Sequence, residues 1–126
     1  MKYLIDSNII IYYLNGEKIV QDFLEKNKSS CTLSLISYYE ILNFNFTQEE
    51  ESIIKDFLNS FEIIGISKNI IHQSLKNRKY KKIKMGDNFI LSTSQLFGLT
   101  LVTRNTKDFD IFNIAICNPF KSLKEK

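Results

Sequence analysis

The sequence predicts an α/β fold in which a central, mostly parallel sheet lies between two layers of helices. The first observation is that short apolar runs alternate with segments whose apolar residues recur at helical spacing. The second is that this alternation is typical of strand–helix–strand units, whose strands lie parallel. The third is size: 126 residues, 44% hydrophobic and 25% charged, suit one globular domain, residues 1–126.

The first half of the chain predicts two strands and four helices. Asp6-Ser7-Asn8 follows the first apolar run and is a typical helix start. Ser37 with Glu40, and Thr47 with Glu50, show the spacing of a capping box, which marks the first turn of a helix. In order, the elements are a strand at 3–5, helices at 9–14 and 17–27, a strand at 31–35, and helices that begin at 37 and 47.

The second half predicts a strand at 63–66, a helix through Ile70 and Leu75, and a helix that begins at Gly86-Asp87. Gly98 is expected to end that helix, because glycine readily adopts the left-handed conformation of a C-cap. A strand at 99–103, a polar loop through Asp108 and a short strand at 114–117 follow. Residues 121–126 are expected to be a flexible tail.

Charge is distributed unevenly along the chain, although the net charge is only +3. Residues 1–66 hold 5 Lys or Arg and 10 Asp or Glu, a net −5, and residues 67–126 carry a net +8. The densest basic run is Lys76, Arg78, Lys79, Lys81, Lys82 and Lys84. A run of this kind is either a solvated helix face or a surface for a polyanion such as RNA.

The cysteines and the apolar runs exclude several classes of protein. Cys31 and Cys117 stand alone, and the single histidine is His72, so no zinc-ligand spacing occurs. Both thiols are expected to pack in the core, which suits a reducing cytoplasm. No apolar run is long enough to span a membrane or resembles a secretory leader. The expected location is therefore the cytoplasm.

Four acidic residues are expected to meet at one edge of the sheet. Asp6 follows the first strand, Glu40 lies about one helical turn after the second, and Asp108 lies in the loop after the fourth. Asp87 opens the helix that leads into that fourth strand. Sites in parallel sheets form beyond the carboxyl ends of the strands. Each acid also has a purely structural interpretation: Asp6 and Asp87 as N-caps, Glu40 in a capping box, and Asp108 as a loop residue.

Together the four acids favour a divalent cation, because their mutual repulsion would otherwise raise their pKa values. Oxygen ligands without sulfur or imidazole point to Mg²⁺ or Mn²⁺. A chain with one histidine has no imidazole pair for acid–base catalysis, and no glycine-rich phosphate loop or serine-hydrolase motif occurs. Acids, a metal and a basic approach surface are the requirements of phosphodiester hydrolysis.

Four short motifs occur in a recognisable order over nearly the whole chain. They are Tyr3-Leu4-Ile5-Asp6-Ser7-Asn8-Ile9-Ile10, Ser37-x-x-Glu40-Ile41, Gly86-Asp87-x-x-Ile90-Leu91-Ser92, and Leu101-Val102-Thr103-Arg104-Asn105-x-x-Asp108-Phe109. In these motifs the sequence resembles the PIN domain family, and within it the VapC type of toxin from bacterial toxin–antitoxin pairs.

The resemblance implies a three-layer α/β/α sandwich and a Mg²⁺- or Mn²⁺-dependent endoribonuclease. It implies a toxin that arrests growth by cutting cellular RNA, with tRNA or rRNA as the expected targets. It also implies a homodimer and a cognate VapB-like antitoxin whose tail covers the active site. The family's metal-binding acids fall on Asp6, Glu40, Asp87 and Asp108, and its supporting polar residues on Ser7, Asn8, Thr103 and Asn105. Asn105 or Asp110 is an alternative to Asp108 at the fourth acidic position.

The chain departs from the family pattern around the third acid. Asn88 and Ser92 stand where small alanines are common, and Met85-Gly86 stands where Leu-Pro is more usual. The carboxylate of Asp87 is retained, but the packing of its helix is expected to differ.

The hypothesis from the sequence is that Asp6, Asp87 and Asp108 hold one or two metal ions and that Glu40 binds metal or orients the attacking water. The RNA backbone would lie on Lys79, Lys81, Lys82, Lys84, Arg104 and Lys107. One alternative is a PIN nuclease that processes RNA or cuts DNA without being a toxin. Another is a receiver-like, Mg²⁺-binding signalling domain, although Asp6 has no acidic neighbour before Glu17.

Overall fold

The computed structural model describes residues 1–122 and confirms the predicted α/β class. The strands are β1 (Tyr3–Ile5), β2 (Cys31–Ser34), β3 (Glu62–Ile64), β4 (Thr100–Val102) and β5 (Ile116–Cys117). The helices are α1 (Ser7–Leu14), α2 (Lys18–Asn27), α3 (Leu35–Leu42), α4 (Gln48–Asn59), α5 (Lys68–Tyr80), α6 (Met85–Phe97) and α7 (Pro119–Ser122). Short 3₁₀ turns occur at Lys28–Ser30 and Thr106–Asp108.

The strands form a single sheet in the order β3-β2-β1-β4-β5, and every neighbouring pair is parallel. From β1 the chain adds β2 and β3 on one side, and then β4 and β5 on the other. The direction of the strand order therefore reverses between β1 and β4. In parallel sheets the crevice at such a reversal, beyond the carboxyl ends of the strands, is where ligands bind.

The core has two parts, one on each face of the sheet. Because side chains alternate along a strand, Leu4 and Leu101 pack on one face and Ile5 and Val102 on the other. The Ile5 face is covered by apolar side chains from α1 to α4, among them Ile9, Val20, Leu24, Ile41 and Leu58. The Leu4 face is covered by Ile90 and Leu91 of α6, with Phe109 and Phe112. This arrangement is the predicted three-layer sandwich.

Two predicted helix ends are confirmed in atomic detail. Thr47 and Glu50 exchange the two hydrogen bonds of a capping box at the start of α4. Gly98 ends α6 with a φ of 64°, the left-handed conformation for which glycine is suited.

The predicted start of α3 is wrong by two residues. The helix begins at Leu35, because Ser34 already caps it by accepting a hydrogen bond from the Ile36 N–H at 3.2 Å. The second strand consequently ends at Ser34, and Ser37 is a fully buried residue inside the helix. Ser37 and Glu40 therefore form no capping box.

The remaining predictions for the chain's ends and thiols have mixed outcomes. Cys31 is buried and Cys117 half-buried, both as free thiols, and burial raises the pKa of Cys31 to about 11.

Helix α7 extends to Ser122, so the segment predicted as a tail begins in a helix, and residues 123–126 lie outside the described part. Among residues 1–122, no helix combines the length and apolar character that crossing a bilayer requires.

Candidate active site

Asp6 lies directly after β1, at the reversal in the strand order. Its carboxylate accepts hydrogen bonds from the Ser7 N–H at 2.7 Å and from the Thr103 hydroxyl at 2.8 Å. Thr103 follows β4, so this contact joins the ends of the two strands beside the crevice. Asp6 is 5% exposed, and burial, together with the nearby charges of Asp87 and Glu40, raises its pKa to about 6. Asp6 is also the N-cap of α1, as its structural interpretation predicted.

Glu40 reaches the same place from the second turn of α3. Its Oε1 accepts a hydrogen bond from the Ser7 hydroxyl at 2.6 Å, and the Ser7 Oγ also lies 3.0 Å from the Oγ of Ser37. Its Oε2 lies so close to Gly86 that a Cβ on that residue would sit 2.6 Å from the oxygen. The carboxylate is therefore oriented by a serine on one side and packed against a helix backbone on the other.

Asp87 lies in the first turn of α6. Lys84 occupies the N-cap position of that helix, so the interpretation of Asp87 as an N-cap is wrong. Burial raises the pKa of Asp87, as do the charges of Asp108 and Glu40, and Lys84 opposes the rise. Asp108 ends a 3₁₀ turn, is half-buried, and accepts a hydrogen bond from the side-chain amide of Asn105. The charges of two other acids, Asp108 and Glu40, therefore act on Asp87.

Within residues 1–122, no basic side chain neutralises these acids through an ion pair. The ion pairs in this range are Lys18–Asp22 and Lys55–Glu51, both on exposed helix faces. In the same range, no three His, Cys, Asp or Glu side chains converge into a ready-made metal site. The four carboxylates are neighbours within electrostatic range, at a site with an excess of negative charge.

The groups at this site fit a hard divalent cation. All the acidic donors are oxygens, the ligands that Mg²⁺ and Mn²⁺ prefer. The side-chain oxygen of Asn8 is buried without a hydrogen-bond partner in the described part of the chain. The amide nitrogen of Asn8 lies 3.5 Å from the Thr103 hydroxyl, next to Asp6. A cation bound here would offset the burial and the repulsion that raise the two aspartate pKa values.

Three of the predicted RNA-binding lysines lie beside the acids. Lys81, Lys82 and Lys84 line a cleft of about 200 Å³ together with Asp87 and Asp108. The Lys81 ammonium donates to the backbone carbonyl of Asp108 at 3.3 Å. A cleft with lysines along one wall and carboxylates along the other can hold a phosphate next to a metal ion.

The other predicted basic residues lie elsewhere. Lys79 and Lys107 are exposed and do not line this cleft. The Arg104 guanidinium lies over two aromatic rings, 4.1 Å from the ring centre of Phe120 and 5.1 Å from that of Tyr12. Arg104 therefore packs α7 and α1 against the loop after β4 while remaining exposed.

The supporting polar residues also divide into two groups. Ser7, Asn8 and Thr103 lie against Asp6, and the Asn105 N–H donates to the Thr103 hydroxyl at 3.0 Å. Asp110 is exposed, and its charge is not among the causes that raise the pKa of Asp6 or of Asp87. The structure thus links the four predicted acids through their charges, although no three of them in residues 1–122 converge into a metal site, and it leaves Asp110 outside this group.

Sequence reasoning missed two contributors to the site. Ser37 was interpreted as a helix cap, whereas its buried hydroxyl lies against Ser7. Gly86 was noted only as a departure from a common proline, whereas its missing side chain makes room for Glu40. The one signal for Ser37 is that Ser34, three residues earlier, is also a good helix cap, which would place Ser37 inside the helix. Nothing in the sequence reveals the contact at Gly86.

Comparison with known proteins gives a consistent result for the fold. The PIN domain family matches residues 3–113 of the chain. A solved toxin–antitoxin complex from Klebsiella pneumoniae contains a chain 34% identical to this one, with a TM-score of 0.84. The match covers 94% of this chain and 98% of the Klebsiella chain.

Two further structures share the fold at lower identity. VapBC2 from Rickettsia felis, bound to a DNA fragment from its promoter, is 26% identical with a TM-score of 0.78. DNA-bound VapBC from Salmonella typhimurium is 20% identical with a TM-score of 0.82. Each match covers 94% of this chain and 98% of the other. No curated protein matches the sequence.

Proposed function

The chain belongs to the PIN domain family, and from this premise we propose that it is a Mg²⁺- or Mn²⁺-dependent endoribonuclease that acts as the toxin of a VapBC-type pair. The match to residues 3–113 supports a nuclease. The 34% identity to a chain of the Klebsiella toxin–antitoxin complex supports the toxin role.

The observation that carries the nuclease proposal is the grouping of Asp6, Glu40, Asp87 and Asp108 with no ion pair to a basic side chain of residues 1–122. These acids are far apart in sequence, yet burial and mutual charge raise the pKa values of Asp6 and Asp87. A protein that needed the acids only as helix caps would have no reason to place them within range of one another's charge. A site built to bind a divalent cation has this excess of negative charge before the ion binds.

We assign the metal-holding role to Asp6, Asp87 and Asp108, and to Glu40 either metal binding or orientation of the attacking water. When bound, the ion would lower the pKa of water to produce a nucleophile and would stabilise charge on the scissile phosphate. Thr103 and the Ser7 N–H hold the Asp6 carboxylate in one orientation, and the Ser7 hydroxyl does the same for Glu40. These contacts fix the acids before any ligand arrives.

The substrate proposal is RNA, held by its phosphates. Lys81, Lys82 and Lys84 share a cleft with Asp87 and Asp108, so a backbone phosphate bound there lies beside the acids. The exposed cations Lys79, Arg104 and Lys107 would contact further phosphates along the RNA. Contacts of this kind position a nucleic acid without selecting its sequence.

The biological role follows from the family and its partners. We propose that the protein cuts tRNA or rRNA in the cytoplasm and arrests growth, and that a small VapB-like antitoxin binds it and covers the acidic site. We also propose that it forms a homodimer. The solved Klebsiella toxin–antitoxin complex and the Rickettsia VapBC2 complex support the partner.

The nuclease assignment is tested with protein purified free of antitoxin, Mg²⁺ and an RNA pool. Asp6→Asn and Asp87→Asn should each lower the cleavage rate by about 100-fold or more, because each removes a carboxylate that holds the ion. Asp22→Asn is the matched control, since Asp22 is exposed and its partner is Lys18. Parent-like cleavage by Asp6→Asn and Asp87→Asn would contradict the assignment. Preferential cutting of DNA would contradict the proposal that RNA is the substrate.

The toxin role needs a separate test in cells. Expression of the parent should arrest growth, expression of Asp6→Asn should not, and co-expression of a neighbouring small antitoxin gene should relieve the arrest. If the parent cuts RNA in vitro but does not affect growth, the toxin role is wrong and the protein is a PIN nuclease of RNA processing.

A further inference from the structure

Helices α5 and α6 are joined by four residues, 81–84, of which three are lysines; we refer to them as the lysine connection. Each end of the connection is hydrogen-bonded to the backbone of one asparagine. The Lys81 N–H donates to the Asn77 carbonyl at 3.0 Å, and the Asn88 N–H donates to the Lys84 carbonyl at 2.8 Å. The position of the connection therefore depends on how Asn77 and Asn88, the asparagine pair, are placed relative to each other.

The side chains of the asparagine pair bond directly to each other across the two helices. The Asn77 amide nitrogen lies 3.1 Å from the Asn88 side-chain oxygen, 3.0 Å from the Ser92 hydroxyl and 2.8 Å from the Gln95 side-chain oxygen. The Asn88 amide donates to the Ser74 carbonyl of α5 at 2.8 Å. The pair is buried, with Asn77 4% exposed and Asn88 5% exposed.

A buried amide network of this kind fixes the register of two helices more narrowly than apolar packing does. If α5 slid or rotated against α6, donors and acceptors would lose partners in a place that water does not reach, which is costly. Apolar side chains tolerate such shifts with little loss, because their contacts are not directional. The network is therefore suited to holding one geometry of the hairpin.

The location of the network connects it to the site. It lies at the end of the hairpin that carries the lysine connection, and Asn88 directly follows Asp87. The connection forms one wall of the cleft that Asp87 and Asp108 complete. This chain thus has polar side chains at the points where they control the cleft wall.

We propose that Asn77 and Asn88 are positioning residues that hold the lysine connection at a fixed distance from Asp87, so that its lysines contact the RNA phosphates next to the scissile one. This inference rests on the proposed ribonuclease function. It explains what would position the lysines that contact the phosphates. The two asparagines themselves would contact neither the RNA nor the metal.

The test measures RNA affinity in metal-free protein, where no cleavage occurs, over a series of NaCl concentrations. Asn88→Ala should weaken the binding of a single-stranded RNA about 3- to 10-fold, because the lysines are no longer held against it. The salt dependence should also flatten by about 0.7 in log–log slope for each phosphate that the lysines no longer neutralise. A purely structural role would lower stability but leave the slope of the folded protein unchanged.

Ser94→Ala is the matched control, because it removes a buried hydrogen bond, to the Leu99 carbonyl, at the far end of the same helix. It should leave affinity and salt slope at the parent values. Ser92→Ala removes two hydrogen bonds of the network, to Asn77 and to Asn88, but leaves the direct bond between the asparagines. It should give a smaller decrease in affinity, which keeps the test available if Asn88→Ala folds poorly. Amide hydrogen exchange in residues 81–84 should be faster in Asn88→Ala and Ser92→Ala than in Ser94→Ala.

Two results would overturn the inference in distinguishable ways. If the parent binds and cuts RNA while Asn88→Ala and Ser92→Ala keep its affinity and salt slope, the positioning role is wrong and the ribonuclease assignment stands. If the parent itself neither binds nor cuts RNA, the proposed function fails and the positioning role fails with it.

Discussion

Asp6 performs two tasks with one carboxylate. It caps α1 through the Ser7 N–H, and it faces Asp87 and Glu40 at the carboxyl edge of the sheet. The two hydrogen bonds that it accepts stabilise its charged form, but burial outweighs them and raises its pKa to about 6. Near neutral pH the buried charge of Asp6 therefore lowers the stability of the fold, and a bound cation would offset this cost.

This raised pKa predicts a specific dependence of stability on pH. The folded-state pKa of Asp6 lies above its ordinary value of 3.8. Protonation of Asp6 therefore stabilises the fold, and this contribution is fully present below pH 3.8. That contribution is lost as the pH rises through about 6, and it amounts to about 3 kcal/mol at most. Asp6→Asn should therefore raise the thermal midpoint of the metal-free protein at neutral pH, and the gain over the parent should vanish toward pH 3.8.

Thermal melts of the parent and Asp6→Asn across this range check the prediction. Asp22→Asn, which alters an exposed ion pair, should change the midpoint little. An Asp6→Asn protein less stable than the parent at neutral pH would show that the carboxylate's hydrogen bonds outweigh its burial.

A substitution at Gly86 tests whether the position of one atom, the Oε2 of Glu40, affects the reaction. A Cβ at this position would lie 2.6 Å from the Oε2 of Glu40, so Gly86→Ala must displace that carboxylate. The substitution should lower the cleavage rate about 10-fold, a value typical of a misplaced catalytic group. Stability should change little or rise, because alanine is favoured over glycine by about 1 kcal/mol inside a helix.

Gly65→Ala is the control for Gly86→Ala. A Cβ at Gly65 meets no atom within 4 Å, so that variant should keep the parent's cleavage rate. Equal cleavage rates for the parent and both alanine variants would mean that the position of Glu40 does not matter to the reaction.

Among the helices and strands, those with local signals were predicted best. The capping box at Thr47 and the glycine end at Gly98 are determined by hydrogen bonds within a few residues, and both are confirmed. The start of α3 was misplaced because Ser34 and Ser37 are both good caps, and only the pairing of β2 with β1 and β3 decides between them. Local chemistry does not contain that information.

The capping box of α4 also predicts a change in stability without a change in function. Thr47→Ala removes the hydroxyl that accepts from the Glu50 N–H and should lower the free energy of unfolding by about 1 kcal/mol. Chemical denaturation measures this change. Cleavage per folded molecule should equal the parent's, since α4 contributes no residue to the site. A decrease in activity larger than the decrease in folded protein would show that α4 influences the site.

Contacts between distant elements were the part that the sequence did not reveal. Ser7 on α1 meets Ser37 and Glu40 on α3, and Asn77 on α5 meets Asn88 on α6. Each contact depends on how two helices lie against each other, and neither leaves a periodic pattern in the sequence. By contrast, the sequence does predict that Asp6, Glu40 and Asp108 lie at one edge of the sheet, because each follows the carboxyl end of a parallel strand, a general property of the fold.

Over the whole molecule, the fold combines two halves of opposite charge. The acidic half supplies Asp6 and Glu40, and the basic half supplies Asp87, Asp108 and the lysine connection. The reversal of strand order at β1 and β4 brings these halves together, so that a negative site lies beside a positive cleft wall. In the proposed function the acids bind a cation and the lysines bind a polyanion, a combination suited to hydrolysis of a nucleic acid.

The rate of RNA cleavage as a function of Mg²⁺ or Mn²⁺ concentration, in protein purified free of antitoxin, decides whether this site is a metal-dependent ribonuclease centre. We predict that cleavage is absent in EDTA, rises to a plateau as the ion is added, and stays absent at the plateau concentration in Asp87→Asn. Cleavage at the same rate in EDTA, or no cleavage of RNA at any concentration of either ion, would show that it is not.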